Sequence, residues 1–377
     1  MRIAYIAASV IPSWTANSVQ VMKVCQALTQ IGNEVHLFVP GKITTPWTDL
    51  RLHYGIQNEF PVYWLAFRPL LKKLDFVISA LKLIKKLKLD LVYTRLIWAA
   101  VLASWMGLPV ILEVHDRPVG RMGPWLFKRF LKSQGTKRIV LITHALKAIL
   151  EQEYHLQFKP GEIIIFPDGV DLERYTRKVD ASSARAQLGL EDQFTAVYSG
   201  GFYEGRGLES LIELAIRFPE VRFLWVGGKK DVVGNWQEKL EDSGVQNIQL
   251  TGFVPNEKLP LYQMAADILL MPYGKVIAGS SGGNIADVSS PMKMFEYMAA
   301  GRVILTSDMP VLHEVLNETN AAFYISEDMQ SMERAFAALM QDEDTRNRLA
   351  SQALIDVEKY SWRARMLKII SSVDGLV

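Results

Sequence analysis

Short apolar runs and stretches of helical periodicity alternate along most of the chain. The first unit is plain: Arg2 to Ala8 is an apolar run, a polar loop covers Pro12 to Ser18, a helical pattern runs from Val19 to Ile31, and Gly32-Asn33 stops it before a second apolar run, Glu34 to Val39. Strand, loop, helix and strand at this spacing predict a parallel crossover, whose ligands meet the carboxyl ends of the strands. The motif recurs. Further strands are predicted at Asp90–Arg95, Pro109–Asp116, Ile139–Ile142 and Ile163–Ile165, then at Phe194–Ser199, Val221–Gly227, Ile248–Leu250, Ile268–Tyr273 and Val303–Leu305. Between them lie a helical run from Leu70 to Leu89, a helix ending near Gly107, one ending near Phe218 and a short one over Leu259–Ala266. Ser290 as N-cap, Pro291 at the first helical position and Gly301 as a left-handed exit mark another helix at both ends. Gly274 to Ser289, rich in glycine and serine, breaks the pattern and reads as a mobile loop.

Composition adds three constraints. At 377 residues, with 49% hydrophobic and 22% charged positions, the chain suits two α/β domains. Its single cysteine, Cys25, excludes an intrachain disulfide and fits a reducing cytoplasmic setting. No signal peptide is expected, because the first residues run directly into a strand, and the uncharged run Leu96 to Leu112 is broken by Gly107-Leu108-Pro109, so no membrane span is expected either.

Charge is unevenly spread. Residues 1–172 carry 21 basic and 12 acidic side chains, and residues 173–377 carry 21 and 28. The run over residues 70–89 holds Lys72, Lys73, Lys82, Lys85, Lys86 and Lys88 at helical spacing. It reads either as an outer helix with a solvated lysine face or as a peripheral contact with an anionic membrane. No nucleic-acid reader motif accompanies the charge, so no nucleic acid is expected.

Lys293 is the unusual residue of the 290–301 helix. A cation in the first turn faces the positive end of the helix dipole, at a cost of ~0.3–1 kcal/mol, unless an anion lies there. Glu296 shares its face, placed to accept hydroxyl hydrogen bonds. Gly200-Gly201-Phe202-Tyr203-Glu204-Gly205-Arg206-Gly207 is a second candidate: the glycines let backbone approach a ligand, and Arg206 can clamp a diphosphate. His115 and Asp116 close a strand on its ligand side, as a titratable pair.

Ser-Pro-Met-Lys-Met-Phe-Glu-Tyr-Met-Ala-Ala-Gly-Arg-Val, residues 290–303, resembles the donor-site signature of the retaining glycosyltransferases of family 4, and the likeness extends over nearly the whole chain. The resemblance implies a GT-B fold, two Rossmann-like doubly wound domains facing a central cleft. Residues 1–172 would bind the acceptor, residues 173–359 the nucleotide-sugar donor, and a helix from 360 to 377 would cross back. It assigns Gly200, Gly201, Arg206, Phe253, Val254, Pro291, Met292, Lys293 and Glu296 to the donor, with base recognition by the Val254 main chain. His115, Arg206 and Lys293 become the catalytic group, His115 touching the donor sugar on domain closure. Ala16, Asn17, Ser18, Tyr93, Arg95 and Asp116 fall to the acceptor side or the first loop, with Asp116 also able to orient His115.

The implied reaction is retaining, metal-independent transfer of a hexose, with UDP-glucose the favoured donor, to a hydroxyl of a polysaccharide or lipid-linked glycan. The expected location is cytoplasmic, up to the inner membrane face. Four features depart from the family pattern, the first being Asp168 where the family's Pro-Asn-Gly-Val-Asp linker, which residues 167–171 resemble, has asparagine. Ala16-Asn17-Ser18 replaces a glycine-rich turn, Gly201 stands where a further arginine is common, and Val288 occupies the place of the first glutamate of a Glu-x7-Glu pair, leaving Asp287 or Asn284 as substitutes. A GT-B-fold sugar-nucleotide epimerase and a non-catalytic glycan-binding protein with a degenerate donor site are the competing readings.

Overall fold

A computed structural model describes residues 1–71, 73–277 and 283–373. The chain forms two domains, Met1–Asp168 with the segment from Trp362 onward, and Gly169–Ser361. The divisions thus fall after Asp168 and Ser361, where the sequence reading sets Leu172 and residue 360.

The first domain runs β1 (Arg2–Ile6), α1 (Ala16–Gln30), β2 (Glu34–Pro40), α2 (Trp47–Tyr54), β3 (Val62–Leu65), α3 (Leu74–Leu87), β4 (Leu91–Thr94), α4 (Ile97–Trp105), β5 (Val110–Val114), α5 (Gly123–Leu131), β6 (Lys137–Leu141), α6 (His144–Glu153) and β7 (Ile163–Ile165). Its sheet is parallel, in the order β3-β2-β1-β4-β5-β6-β7. The second runs α7 (Ala181–Gln187), β8 (Thr195–Ser199), α8 (Leu208–Arg217), β9 (Arg222–Val226), α9 (Lys230–Asp242), β10 (Ile248–Gly252), α10 (Leu259–Met264), β11 (Ile268–Met271), α11 (Met292–Ala300), β12 (Val303–Asp308), β13 (Ala322–Ile325), α12 (Met329–Gln341) and α13 (Glu343–Val357). Its strands are also parallel, ordered β10-β9-β8-β11-β12-β13. Strand order reverses between β1 and β4 in one sheet and between β8 and β11 in the other, the crevices where doubly wound sheets take ligands. The last helix, α14 (Trp362–Ser371), belongs to the first domain and packs on α1.

Four sequence expectations change. Ala16, Asn17 and Ser18 are the first turn of α1 rather than a loop, because Thr15 caps the helix, its hydroxyl accepting from the Ser18 N–H. Pro291, not Ser290, is the N-cap of α11, so Lys293 is that helix's second residue. The lysine-rich helix is shorter than residues 70–89: Lys73, at φ 67°, starts it, Lys88 ends it, and Lys72 lies outside the described residues. Its Phe76, Val77, Ala80, Leu81 and Ile84 are buried, so most of its apolar face is used in the core. Finally, the sequence pattern does not predict α2, β3, α5, α7, α9, β13, α12 or α13. Among the described residues no helix is long and apolar enough to cross a membrane.

Candidate functional site

In the second domain Lys293, Arg206, Gly200, Tyr198 and Tyr273 come together. Tyr198 is on β8, Gly200 directly follows it and Tyr273 follows β11, which places the group at that sheet's reversal. The Lys293 ammonium lies 3.8 Å from the centre of the Tyr198 ring and 5.5 Å from that of Tyr273, and the Arg206 guanidinium lies 5.1 Å from the same Tyr273 ring. Lys293 Nζ is buried and has no hydrogen-bond partner among the described residues. Burial first, then Arg206, drives the Lys293 amine well below its ordinary pKa, against the opposing pull of Glu296.

Glycine is required around this pair. A Cβ on Gly200, at φ 142°, would sit 2.9 Å from Lys293 Nζ, and one on Gly207, at φ 71°, would sit 1.6 Å from the Pro272 carbonyl oxygen. Gly207 also leads into α8, so the turn that carries Arg206 is held tightly against the exit of β11. Gly201 sits beneath Tyr203, whose ring a Cβ would meet at 2.2 Å.

Glu296 is fixed from two sides. Gln263 Nε2 donates to it at 3.3 Å, and Arg174 stands 4.0 Å away. Gln263 in turn donates to Ser199 at 3.0 Å and accepts from Tyr175 at 2.6 Å, while Arg174 donates to the Asn256 carbonyl in the loop that carries Phe253 and Val254. Phe253 is exposed and Val254 half-buried. Pro291 and Met292, both half-buried, precede Lys293.

The loop before α11 has a different role from the one expected of its polar residues. Asn284 Oδ1 accepts from the Ile277 and Ala286 N–H groups at 2.9 and 3.0 Å, and its Nδ2 donates to the Lys275 carbonyl at 3.0 Å. Its amide therefore shapes the loop's own backbone. Asp287 is exposed, and Val288 is fully buried. Residues 278–282 of this segment lie outside the described residues.

In the first domain His115 belongs to a buried network that the sequence reading missed. His115 Nε2 bonds Glu113, which also accepts from the Tyr93 hydroxyl, from Gln20 Nε2 at 2.6 Å and from Arg365 at 3.1 Å. Gln20 Nε2 lies 3.2 Å from Asp168, and its Oε1 accepts from Arg95 at 2.5 Å, as does Asn17 Oδ1 at 2.6 Å. Burial would raise the Glu113 carboxyl, but the Arg365 guanidinium and the His115 N–H outweigh it and hold the group well below the carboxylate range. Burial and Arg95 lower His115, and burial raises Asp168. An ionised Glu113 only accepts, so His115 Nε2 carries the proton and a neutral His115 presents a lone pair at Nδ1.

Two roles expected here change hands. Glu113, not Asp116, holds His115; Asp116 accepts from the Arg117 N–H at 2.7 Å. Tyr93 is fully buried, stacked on Tyr5 at 5.0 Å, and serves Glu113 instead of lining an acceptor surface. Ser18 is likewise buried, donating to the Ser13 and Thr15 carbonyls. Glu113, His115 and Asp168 offer three ligand atoms within 4.8 Å of one another. Arg365, Gln20, Tyr93 and His115 already donate into these oxygens, which makes the trio a charge-balanced proton network and not a cation's cage.

Two family models cover most of the chain: Glycosyltransferase Family 4 matches residues 18–174, and Glycosyl transferases group 1 matches residues 193–342. The chain is a GT-B-fold glycosyltransferase related to these two groups. The fold agrees. Sucrose-phosphate synthase from Thermosynechococcus elongatus superposes with a TM-score of 0.78 at 17% identity, covering 100% of this chain and 98% of that one. Anabaena HepE in complex with UDP-glucose gives 0.72 at 16% identity, covering 99% and 100%. In sequence, this GT-B chain is 28% identical over 244 residues, or 59% of its length, to a Bacillus subtilis (strain 168) glycosyltransferase named for teichuronic acid biosynthesis, and spans 60% of that relative's length.

Proposed function

We propose that this chain transfers a hexose, with retention, from a nucleotide diphosphate sugar to a hydroxyl of a polysaccharide or lipid-linked glycan, with UDP-glucose as the donor. One observation carries the donor assignment. Lys293 buries its amine without an acceptor, next to a cation, Arg206, at a sheet reversal. Two cations held together without an anion are unfavourable alone and become favourable around a diphosphate. The choice of UDP-glucose is supported by the complex named for the similar Anabaena fold.

In this reaction the bond from the sugar's anomeric carbon to the diphosphate oxygen breaks as the bond to the acceptor oxygen forms on the same face. The leaving phosphate takes the acceptor's proton. Arg206, Lys293 and the N–H groups opening α11 neutralise the charge that develops on the diphosphate, so no metal ion is required for that task. Glu296 receives sugar or ribose hydroxyls, and His115 meets the donor sugar through Nδ1. The lysine face of residues 70–89 adds an electrostatic attraction to an anionic membrane.

The test is calorimetry with UDP and UDP-glucose on the intact chain and on Arg206→Ala and Lys293→Ala. Binding in the micromolar range, weakened at least tenfold by each change, supports the donor site. Unaltered binding in both variants refutes it. A second reading, epimerisation of a UDP-sugar, is favoured by the acid–base character of the His115 network. Incubation without acceptor separates the two: an epimer formed without free UDP supports epimerisation, whereas slow release of UDP and sugar supports transfer.

A further inference from the structure

Tyr203 stands half exposed in the turn that carries Arg206, and packing does not account for its ring. Phe202, just before it, is buried, with its ring centre 5.9 Å from that of Trp225 and 6.1 Å from that of Tyr198, so the turn after β8 is pinned to the core at that residue. Tyr203 is turned the other way. The Arg206 N–H donates to its carbonyl at 3.2 Å, which closes the turn and fixes the tyrosine three residues before the guanidinium. A large ring left 52% exposed on so firmly held a backbone marks a surface that meets something else.

Gly201 answers to that ring. Unlike Gly200, Gly205 and Gly207 it does not have a positive φ, so its backbone conformation does not call for glycine. The space does. The three atoms nearest to a Cβ built on Gly201 all belong to the Tyr203 ring, with Cε2 at 2.2 Å, Cδ2 at 2.7 Å and Cζ at 3.2 Å, so any side chain there would push the ring out of its place. That place adjoins the cation pair. The Gly201 carbonyl accepts from the Tyr198 hydroxyl at 2.8 Å, and it is over the Tyr198 ring that Lys293 Nζ lies.

Donor and product differ in charge at this end. Free UDP finishes in a phosphate monoester whose second ionisation lies near pH 6, so at neutral pH it carries roughly one more negative charge than UDP-glucose, in which the sugar caps that oxygen. A basic side chain at position 201, where the family resemblance makes arginine common, would add a third cation and favour the product. An aromatic face does the reverse, because it offers apolar area to a sugar ring and a negative quadrupole to a bare phosphate. Resting on the donor site proposed above, we propose that Tyr203 is a further donor-binding residue: its ring packs against the hexose and, by filling the space over Gly201, keeps a third cation out, so that the site favours the sugar-bearing nucleotide over free UDP.

Titration calorimetry of the full chain with UDP and with UDP-glucose tests this through the ratio of the two dissociation constants. Tyr203→Ala should weaken UDP-glucose about threefold to tenfold more than UDP. Tyr203→Phe, which keeps the ring, should lose less than Tyr203→Ala does. Adding Gly201→Arg to Tyr203→Ala should tighten UDP about tenfold, with a smaller gain for UDP-glucose. A ring with only a structural task would move both ligands together, and the melting temperature with them. Equal losses for the two ligands in Tyr203→Ala, no loss for either, or no gain for UDP from the added arginine would each overturn the inference, while UDP binding that is still weakened by Lys293→Ala would leave the donor site standing. No binding of UDP by the parent chain would overturn the donor site and this inference together.

Discussion

Replacing Lys293 with methionine should stabilise the ligand-free protein while weakening its hold on UDP. The structure gives both signs. Nζ is buried without a hydrogen-bond partner among the described residues, facing the Tyr198 and Tyr273 rings and beside Arg206, so below the ordinary lysine pKa the folded state either hides a charge with no acceptor or gives up a proton that the unfolded state keeps. An unsatisfied buried polar group costs on the order of 1–3 kcal/mol. Its position in the first turn of α11 adds ~0.3–1 kcal/mol through the helix dipole. Methionine keeps the length, suits a helix and packs well against the Tyr198 and Tyr273 rings, so a net gain of about 1–2 kcal/mol is expected. For a domain of 150–250 residues that raises the melting temperature by roughly 2–8 °C. Because the folded pKa is lowered, the gain is fullest at low pH and fades as the pH rises toward the unfolded lysine value of about 10.4. UDP binding should fall meanwhile, since removing one partner of a buried charge contact costs about 2–5 kcal/mol, or roughly 30-fold to a few thousandfold. Differential scanning calorimetry with and without saturating UDP reads both effects in one series. A variant that melts lower than the parent and binds UDP equally well would refute the reasoning, for the ammonium would then have a structural partner and no anion to meet.

Arg365→Met should destabilise the first domain by about 3–5 kcal/mol, because it leaves Glu113 ionised and unpaired where neither side chain has any solvent exposure. Adding Glu113→Gln should recover part of that loss in urea melts; losses that simply add would show the two are uncoupled. His115, lowered by burial and Arg95, should stay neutral below the usual histidine value of about 6.5. Since the unfolded histidine then binds the proton first, this residue removes stability as the pH falls through 6.5, and His115→Gln should flatten that part of the acid curve; an NMR titration midpoint at or above 6.5 would contradict it.

The strand and helix rhythm was legible because each crossover buries one apolar strand and one amphipathic helix, and both periods survive in the sequence. Lys293 and Arg206 were legible for a similar reason: each breaks a local rule, one placed against a helix dipole and the other in a glycine-rich turn. Glu113, Gln20 and Arg365 were not. Arg365 reaches Glu113 across 252 positions and Gln20 reaches it across 93, distances over which no periodicity carries information. One signal was available, since Glu113 interrupts the apolar strand Val110–Val114 and an acid in a buried strand demands a buried cation. The α2 and α5 helices escaped notice because α2 has little apolar periodicity, and Gly123-Pro124 at the start of α5 reads as a turn.

Val288 bears on which side chains of the proposed donor site could read the sugar. The family resemblance implies that an acidic residue is common at this position, but here the side chain has no solvent exposure, so a carboxylate on it would face the core and not a ligand. Asn284, a candidate substitute, has its amide bound to its own loop. Asp287, the other candidate, is exposed, whereas Glu296 is held by Gln263 and Arg174 near Lys293. Glu296→Gln should accordingly reduce the advantage of UDP-glucose over UDP in binding by about tenfold, the worth of one hydrogen bond to a charged group. UDP alone should weaken less, through the smaller pull that Glu296 exerts on Lys293. Equal losses for UDP and UDP-glucose in parallel titrations would instead make Glu296 a partner of the nucleotide, and hexose selection would then fall to the loop backbone.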